Sequence, residues 1–173
     1  MNWETIKSNI YYDIGMVKEI IIVGIFEEFW DKWTKYINEN FKLEWYFSDE
    51  IIKNKIELDR IKYFWNNPEH NYQTFGNFYI NDIEIKMFFW DPDIMVNCFW
   101  PSDIKKEVDH KNILEYMLHL SKFTKNDICL IDETNNYCKD CNFLIKANNG
   151  LIDYNIINNN KFIEKAKPAH NKQ

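Results

Sequence analysis

The spacing of apolar residues divides the chain into segments of different period. Tyr11–Tyr12 and Val17–Val23 read as extended segments around a turn containing Gly15, with Gly24 closing the second. From Phe26 the period changes. Phe26, Phe29, Trp30, Trp33 and Ile37 fall at i, i+3, i+4, i+7 and i+11, with Glu27, Glu28, Asp31, Lys32 and Lys35 on the other side. This pattern predicts an amphipathic helix to about Asn40, its aromatic stripe packed on a sheet. Burying one such side chain is worth roughly 1.5–3 kcal/mol. Trp33→Ala is therefore predicted to be among the most destabilising changes in the chain.

Leu43–Phe47 reads as a strand. The stretch Asp49–Asn67 is open, although Leu58, Ile61, Phe64 and Trp65 mark a short helix ended before Pro68. Gln73–Ile80, Ile83–Trp90 and Ile94–Trp100 then form the clearest strand pattern, separated by Asn81-Asp82 and by Asp91-Pro92-Asp93, both turn chemistry. Ile83, Ile85, Met87 and Phe89 alternate with Glu84, Lys86, Phe88 and Trp90, which predicts an antiparallel meander with its aliphatic face toward the helices. Asp109 is the predicted N-cap of a second helix over His110–Lys122, with Ile113, Leu114, Met117, Leu118 and Ser121 inward and Lys111, Glu115, His119 and Lys122 outward. Asp127–Ile131, Asn142–Lys146 and Leu151–Ile156 read as closing strands, with Asn148-Asn149-Gly150 as a turn. The order predicts an α+β fold: one domain over 1–157, mainly antiparallel sheet, with two main helices packed on one face. An Asn/Lys-rich tail at 158–173 is expected to be mobile.

Composition changes the picture in three ways. The chain has 173 residues, 46% hydrophobic and 17% aromatic, enough for one well-built core. Its Ile, Asn, Lys, Tyr and Phe all have AT-rich codons, so the Asn-rich stretches need no prion-like reading. Net charge is −6, and the tail's four lysines and one glutamate leave the body through Ile157 with 17 cations and 26 carboxylates, a net of −9. An acidic body repels a phosphate backbone, and Arg60 is the only arginine, so direct nucleic-acid binding is not expected. A basic protein partner suits this charge. The N-terminus carries no charged-then-apolar signal pattern. The longest apolar run, Ile20–Phe26, is far short of the roughly 20 residues of a bilayer span. No membrane association and a cytoplasmic location are expected.

The search for chemistry mostly excludes. The four glycines, Gly15, Gly24, Gly76 and Gly150, are too scattered for a phosphate-cradling loop. None of the serines sits in a Gly-x-Ser-x-Gly elbow. Cys138-x-x-Cys141 has half the spacing of a zinc knuckle, but Cys98 and Cys129 stand alone, so free thiols are the simpler reading beside metal or redox use. Glu115 and His119 are i, i+4 partners without a local third ligand, and Lys111 before them makes an exposed charge-paired face the plainer account. No cofactor, metal or catalytic residue is therefore expected. The alternative is an enzyme with a dispersed site using Cys138, Cys141 or His119. Residues 82–109 carry seven carboxylates against three lysines, a net of −4, beside large aromatics. Trp90, Asp91, Asp93, Trp100 and Asp103 are the expected contact residues for a basic partner.

Tyr12-Asp13-Ile14-Gly15-Met16-Val17-Lys18-Glu19 and the apolar run Ile20–Val23, followed by the Trp30/Trp33 helix, carry a resemblance. They resemble a group of small bacterial proteins that open with a tyrosine, a Gly-Ser turn, an Arg-Asp pair and an apolar strand. Here Met16 stands for the serine, and Lys18-Glu19 for the Arg-Asp pair. That group is similar to immunity proteins of bacterial toxin systems. The resemblance implies inhibition of a toxin or nuclease by tight association, with no catalytic residues. A phage-encoded inhibitor of a host nuclease would read the same.

Overall fold

The computed structural model describes residues 2–48, 50–70, 74–133, 137 and 142–155. An eight-residue helix α1 (Trp3–Ile10) opens it, capped by the Asn2 side chain, which accepts from the Thr5 N–H at 2.9 Å. Tyr11 is the residue that ends this helix, so it is not extended as expected. Strand β1 (Lys18–Val23) follows, then α2 (Glu27–Asn40), β2 (Leu43–Phe47), β3 (Glu50–Lys53) and α3 (Leu58–Asn66). The meander is β4 (Thr74–Ile80), β5 (Ile83–Asp91) and β6 (Ile94–Phe99), and α4 (Glu107–Leu120) leads to β7 (Ile128–Asp132), β8 (Ile145–Asn148) and β9 (Leu151–Tyr154).

All nine strands of the described residues form one antiparallel sheet in the order β3-β2-β4-β5-β6-β1-β7-β8-β9. The expected α+β domain is therefore present, and the meander is β4-β5-β6 as read from the alternation. β1, the first strand in the chain, pairs with β6 on one side and β7 on the other. Asn149 and Gly150 both take positive φ (47° and 80°), which joins β8 and β9 by the two-residue turn that Asn-Gly favours.

The helices pack on one face. Ile20, Ile22, Trp45, Phe78, Ile85, Met87, Phe89 and Leu130 from the sheet meet Ile6, Ile10, Phe29, Trp30, Trp33, Ile37, Ile61, Ile113 and Met117 from the four helices in one core. Trp33 is fully buried, edge-on to Trp30 (5.6 Å) and to Phe89 (5.8 Å), in keeping with its predicted weight.

Helix α4 corrects three expectations. It starts at Glu107 rather than after Asp109, because Asp109 caps from inside: its carboxylate reaches back to the N–H groups of Lys105 and Lys106, both at 2.9 Å. A carboxylate three residues into a helix accepts from the N–H groups at and before its N-cap, the reach-back half of a capping box. The inward stripe is also rotated. His110, Ile113, Tyr116, Met117 and Leu120 are buried in the helix, whereas Leu114 and Leu118 are half-buried at its flank. Lys111 pairs with Glu107 at 2.8 Å rather than with Glu115. The strand expected over Asn142–Lys146 is β8, which starts three residues later and ends two residues later.

Candidate functional site

Among the described residues no helix packs on the opposite face of the sheet, and its side chains follow from strand register. Ile51, Tyr46, Phe75, Phe88, Val96, Ile21 and Cys129 are successive cross-strand partners on β3, β2, β4, β5, β6, β1 and β7. One largely apolar row thus crosses seven strands, with three aromatics, Tyr46, Phe75 and Phe88, adjacent at its β2–β4–β5 end. Beside it runs a polar row in which Glu44 opposes Asn77, Asn77 opposes Lys86, Lys86 opposes Cys98 and Cys98 opposes Glu19.

The two halves of this face differ. On β6, β1 and β7, Val96, Ile21 and Ile131 are buried, with Tyr137 and Phe143 packed against them. The Tyr137 hydroxyl donates to Glu19 Oε1 at 2.9 Å, which satisfies a buried carboxylate there. On β2, β4 and β5 the rings meet solvent. Tyr46 stacks on Phe75 at 4.8 Å and Phe88 on Trp90 at 4.5 Å, while Trp90 and Ile51 are each 57% exposed. Two stacked aromatic pairs on an uncovered sheet make a firm, low-entropy platform, since the rings are already held before any partner arrives. Glu44 and Glu84 share this face with Lys86, and the exposed Asp82, Asp91 and Asp93 stand in the turns beside it. The Tyr46 and Tyr79 hydroxyls hydrogen-bond to Glu44 (3.3 Å) and Glu84 (3.4 Å), leaving those carboxylates oriented at the margin of the platform.

The five residues expected to make the contact do not form one patch. Trp90, Asp91 and Asp93 lie together at the β5–β6 turn. Trp100 and Asp103 follow the far end of β6, roughly 20 Å away at 3.3 Å per residue. The turn also has a structural task. Asp91 Oδ1 accepts from the Asp93 N–H (2.7 Å), and the Pro92 carbonyl accepts from the Trp30 indole (2.7 Å). The Asp93 carbonyl accepts from Gly24 and Ile25. The turn that presents Trp90 is thereby tied to α2. Tyr46, Phe75 and Ile51 are members of the face that local pattern did not single out. The signal was parity: an aromatic at a position alternating with buried residues.

The other residues considered for chemistry sit apart from it and from each other. His119 stacks on Tyr36, ring centroids 3.9 Å apart, and burial lowers its pKa. Cys98 is buried, and burial followed by the Glu19 charge pushes its thiol up to about 12, so it stays protonated. Cys138 and Cys141 lie outside the described residues, as does the tail at 158–173. Among the described residues no three His, Cys, Asp or Glu side chains gather as metal ligands, and no helix is long and apolar enough to cross a membrane. Comparison of the chain with models of known protein families, with curated proteins and with solved structures finds no match.

Proposed function

We propose that this chain acts by binding a protein rather than by catalysis, and that the uncovered aromatic half of the sheet is where a basic partner docks. The observation that carries the reading is the pair of aromatic stacks on this face, Tyr46–Phe75, both half-buried, and Phe88–Trp90, which ends on the exposed Trp90, set among an excess of carboxylates. Aromatic rings supply contact area at small entropic cost, and the surrounding charge steers a cationic surface toward them. An immunity-type inhibitor that neutralises a toxin or nuclease by covering its basic cleft fits this chemistry. Trp90, Asp91 and Asp93 belong to this docking edge. Trp100, 41% exposed, and Asp103 belong to a separate margin of the molecule.

The test compares the natural chain with a Trp90→Ser/Asp91→Lys variant as tagged baits in lysate of the source organism, at about 50 and 500 mM salt. The expected result is one basic protein retained by the natural chain at low salt, released at high salt and missed by the variant. That protein, once purified, should bind with one-to-one stoichiometry and lose its activity on binding. A captured protein that holds equally well to the variant would remove this face from the account. A turnover-dependent change in any captured molecule would overturn the non-catalytic reading.

A further inference from the structure

On the helix side of the molecule lies a groove with the opposite character. It runs between the start of α2 and the end of α4, bordered by the β8–β9 turn, and has a volume of about 900 Å³. We propose that this groove is a second docking site and that its occupant is an acidic, amphipathic peptide segment of a partner protein.

The first observation is Phe26. It holds the N-cap position of α2, makes no side-chain cap bond, and is 79% exposed. Ser, Thr, Asp or Asn there would stabilise the helix by about 1 kcal/mol. The chain instead places a bare aromatic ring at the groove's mouth, where it contributes nothing to the packed core. The second observation is the wall behind it, where Phe29 and Phe123 meet edge to face at 6.4 Å beside Leu118. The third is charge. Lys32, Lys122 and Lys125 line the groove against one carboxylate, Glu28, a local excess of two positive charges on a protein whose net charge is −6. An apolar trough with an ammonium rim matches a segment that alternates apolar and acidic side chains. The chain's own basic stretch at 158–173 carries the wrong sign to fill it. So does a basic partner of the sheet face, which makes the two surfaces select different ligands. A concave trough also fits an inserted segment better than a flat bilayer.

The test is fluorescence anisotropy on the full chain with a labelled peptide of about 12 residues alternating glutamate with leucine and phenylalanine, and a counterpart carrying lysine in place of glutamate. The expected result is saturable binding of the acidic peptide only, weakened at least about tenfold by Phe26→Ser and by Lys122→Glu/Lys125→Glu, and weakened by salt. Phe26→Ser supplies a better cap, so the variant should unfold at the same temperature as the natural chain or higher. No binding, equal binding of both peptides, or indifference to both variants would overturn the assignment. Binding of phosphatidylserine vesicles in place of the peptide would overturn it too, and would reassign the groove to an anionic membrane surface.

Discussion

Tyr116 joins helix to helix and helix to sheet through a single oxygen. The Trp33 indole donates to it at 3.0 Å, and the Tyr116 hydroxyl donates to Asn97 Oδ1 at 2.7 Å. All three side chains are buried, and Asn97 spends one amide hydrogen on the Val96 carbonyl. Tyr116→Phe keeps the ring's packing against Phe78 and Phe41 and removes only the oxygen. It strands one donor on α2 and one acceptor on β6, each costing about 1–3 kcal/mol when buried without a partner. The loss should be about 3 kcal/mol, a large part of the 5–15 kcal/mol that typically holds a domain together. Urea unfolding, followed by tryptophan fluorescence and by far-UV circular dichroism, should show a lower midpoint with an unchanged slope. Adding Asn97→Leu removes the stranded acceptor, so the double variant should lose less than the sum of the two single losses. A loss below about 1 kcal/mol for Tyr116→Phe, or strict additivity with Asn97→Leu, would refute the reasoning that this oxygen satisfies two buried groups.

His110 is buried between Tyr11, 2.8 Å from Nδ1, and Tyr154, 2.9 Å from Nε2, so one tyrosine must donate to the neutral ring and the other accept from it. Burial lowers its pKa from 6.5 to about 4. A depressed folded-state value means its contribution is complete above pH 6.5 and is lost as pH falls through 4, a change of about 3 kcal/mol. An imidazole resonance titrating near 6.5 in the folded protein would contradict this. Gly76→Ala should cost about 2 kcal/mol in urea unfolding, because a Cβ would stand 2.7 Å from the Glu44 carbonyl oxygen, which the β2–β4 ladder holds in place. An unchanged midpoint, with Asn77→Ala as the same-strand control, would count against that. Asp132→Asn should cost about 3 kcal/mol by leaving the buried Lys18 ammonium without its counter-charge. Lys18→Met, which removes the charge itself, should be milder, and the reverse order would be inconsistent with a paired buried cation.

What the sequence made legible depended on whether neighbours in the chain were also neighbours in space. Helix α2 and the strands β4–β6 were readable because each buries a face set by its own period. Helix α1 was not, since its eight residues bury only Ile6 and Ile10 and its cap is a single asparagine. In α4 the aliphatic stripe pointed to Leu114 and Leu118, but the core takes His110 and Tyr116 instead. Those two are buried because Tyr11, Tyr154, Trp33 and Asn97 satisfy their polar atoms, and no local pattern reveals such distant partners. The candidate site divides in the same way. Trp90 was readable as an aromatic on the polar side of a strand. Its companions Tyr46 and Phe75 reach the same face only through the β2–β4–β5 register.

The segment Tyr12–Val23, on which the expected likeness to an immunity-type group rests, is spent almost wholly on architecture. Lys18 is fully buried, ion-paired to Asp132, with its ammonium 3.8 Å from the Tyr12 ring centre, and the Tyr12 hydroxyl donates to the same carboxylate at 2.7 Å. Glu19 points to the other face and accepts from Tyr137, while Gly15, at φ 77°, makes the turn whose N–H is held by Asp13. Burial lowers the Lys18 pKa against the pull of Asp132, so the pair is held under tension between desolvation and attraction. Opposite charges on consecutive residues of an interior strand each need a partner on their own face. An Arg-Asp pair could meet the same demand, because the order of signs is what the two faces read. A likeness confined to these positions is therefore a likeness of how β1 is seated between β6 and β7. It constrains the fold far more than the ligand. Two chains sharing the segment are free to differ at Trp90 and Phe26, and partner choice has to be written at such exposed positions.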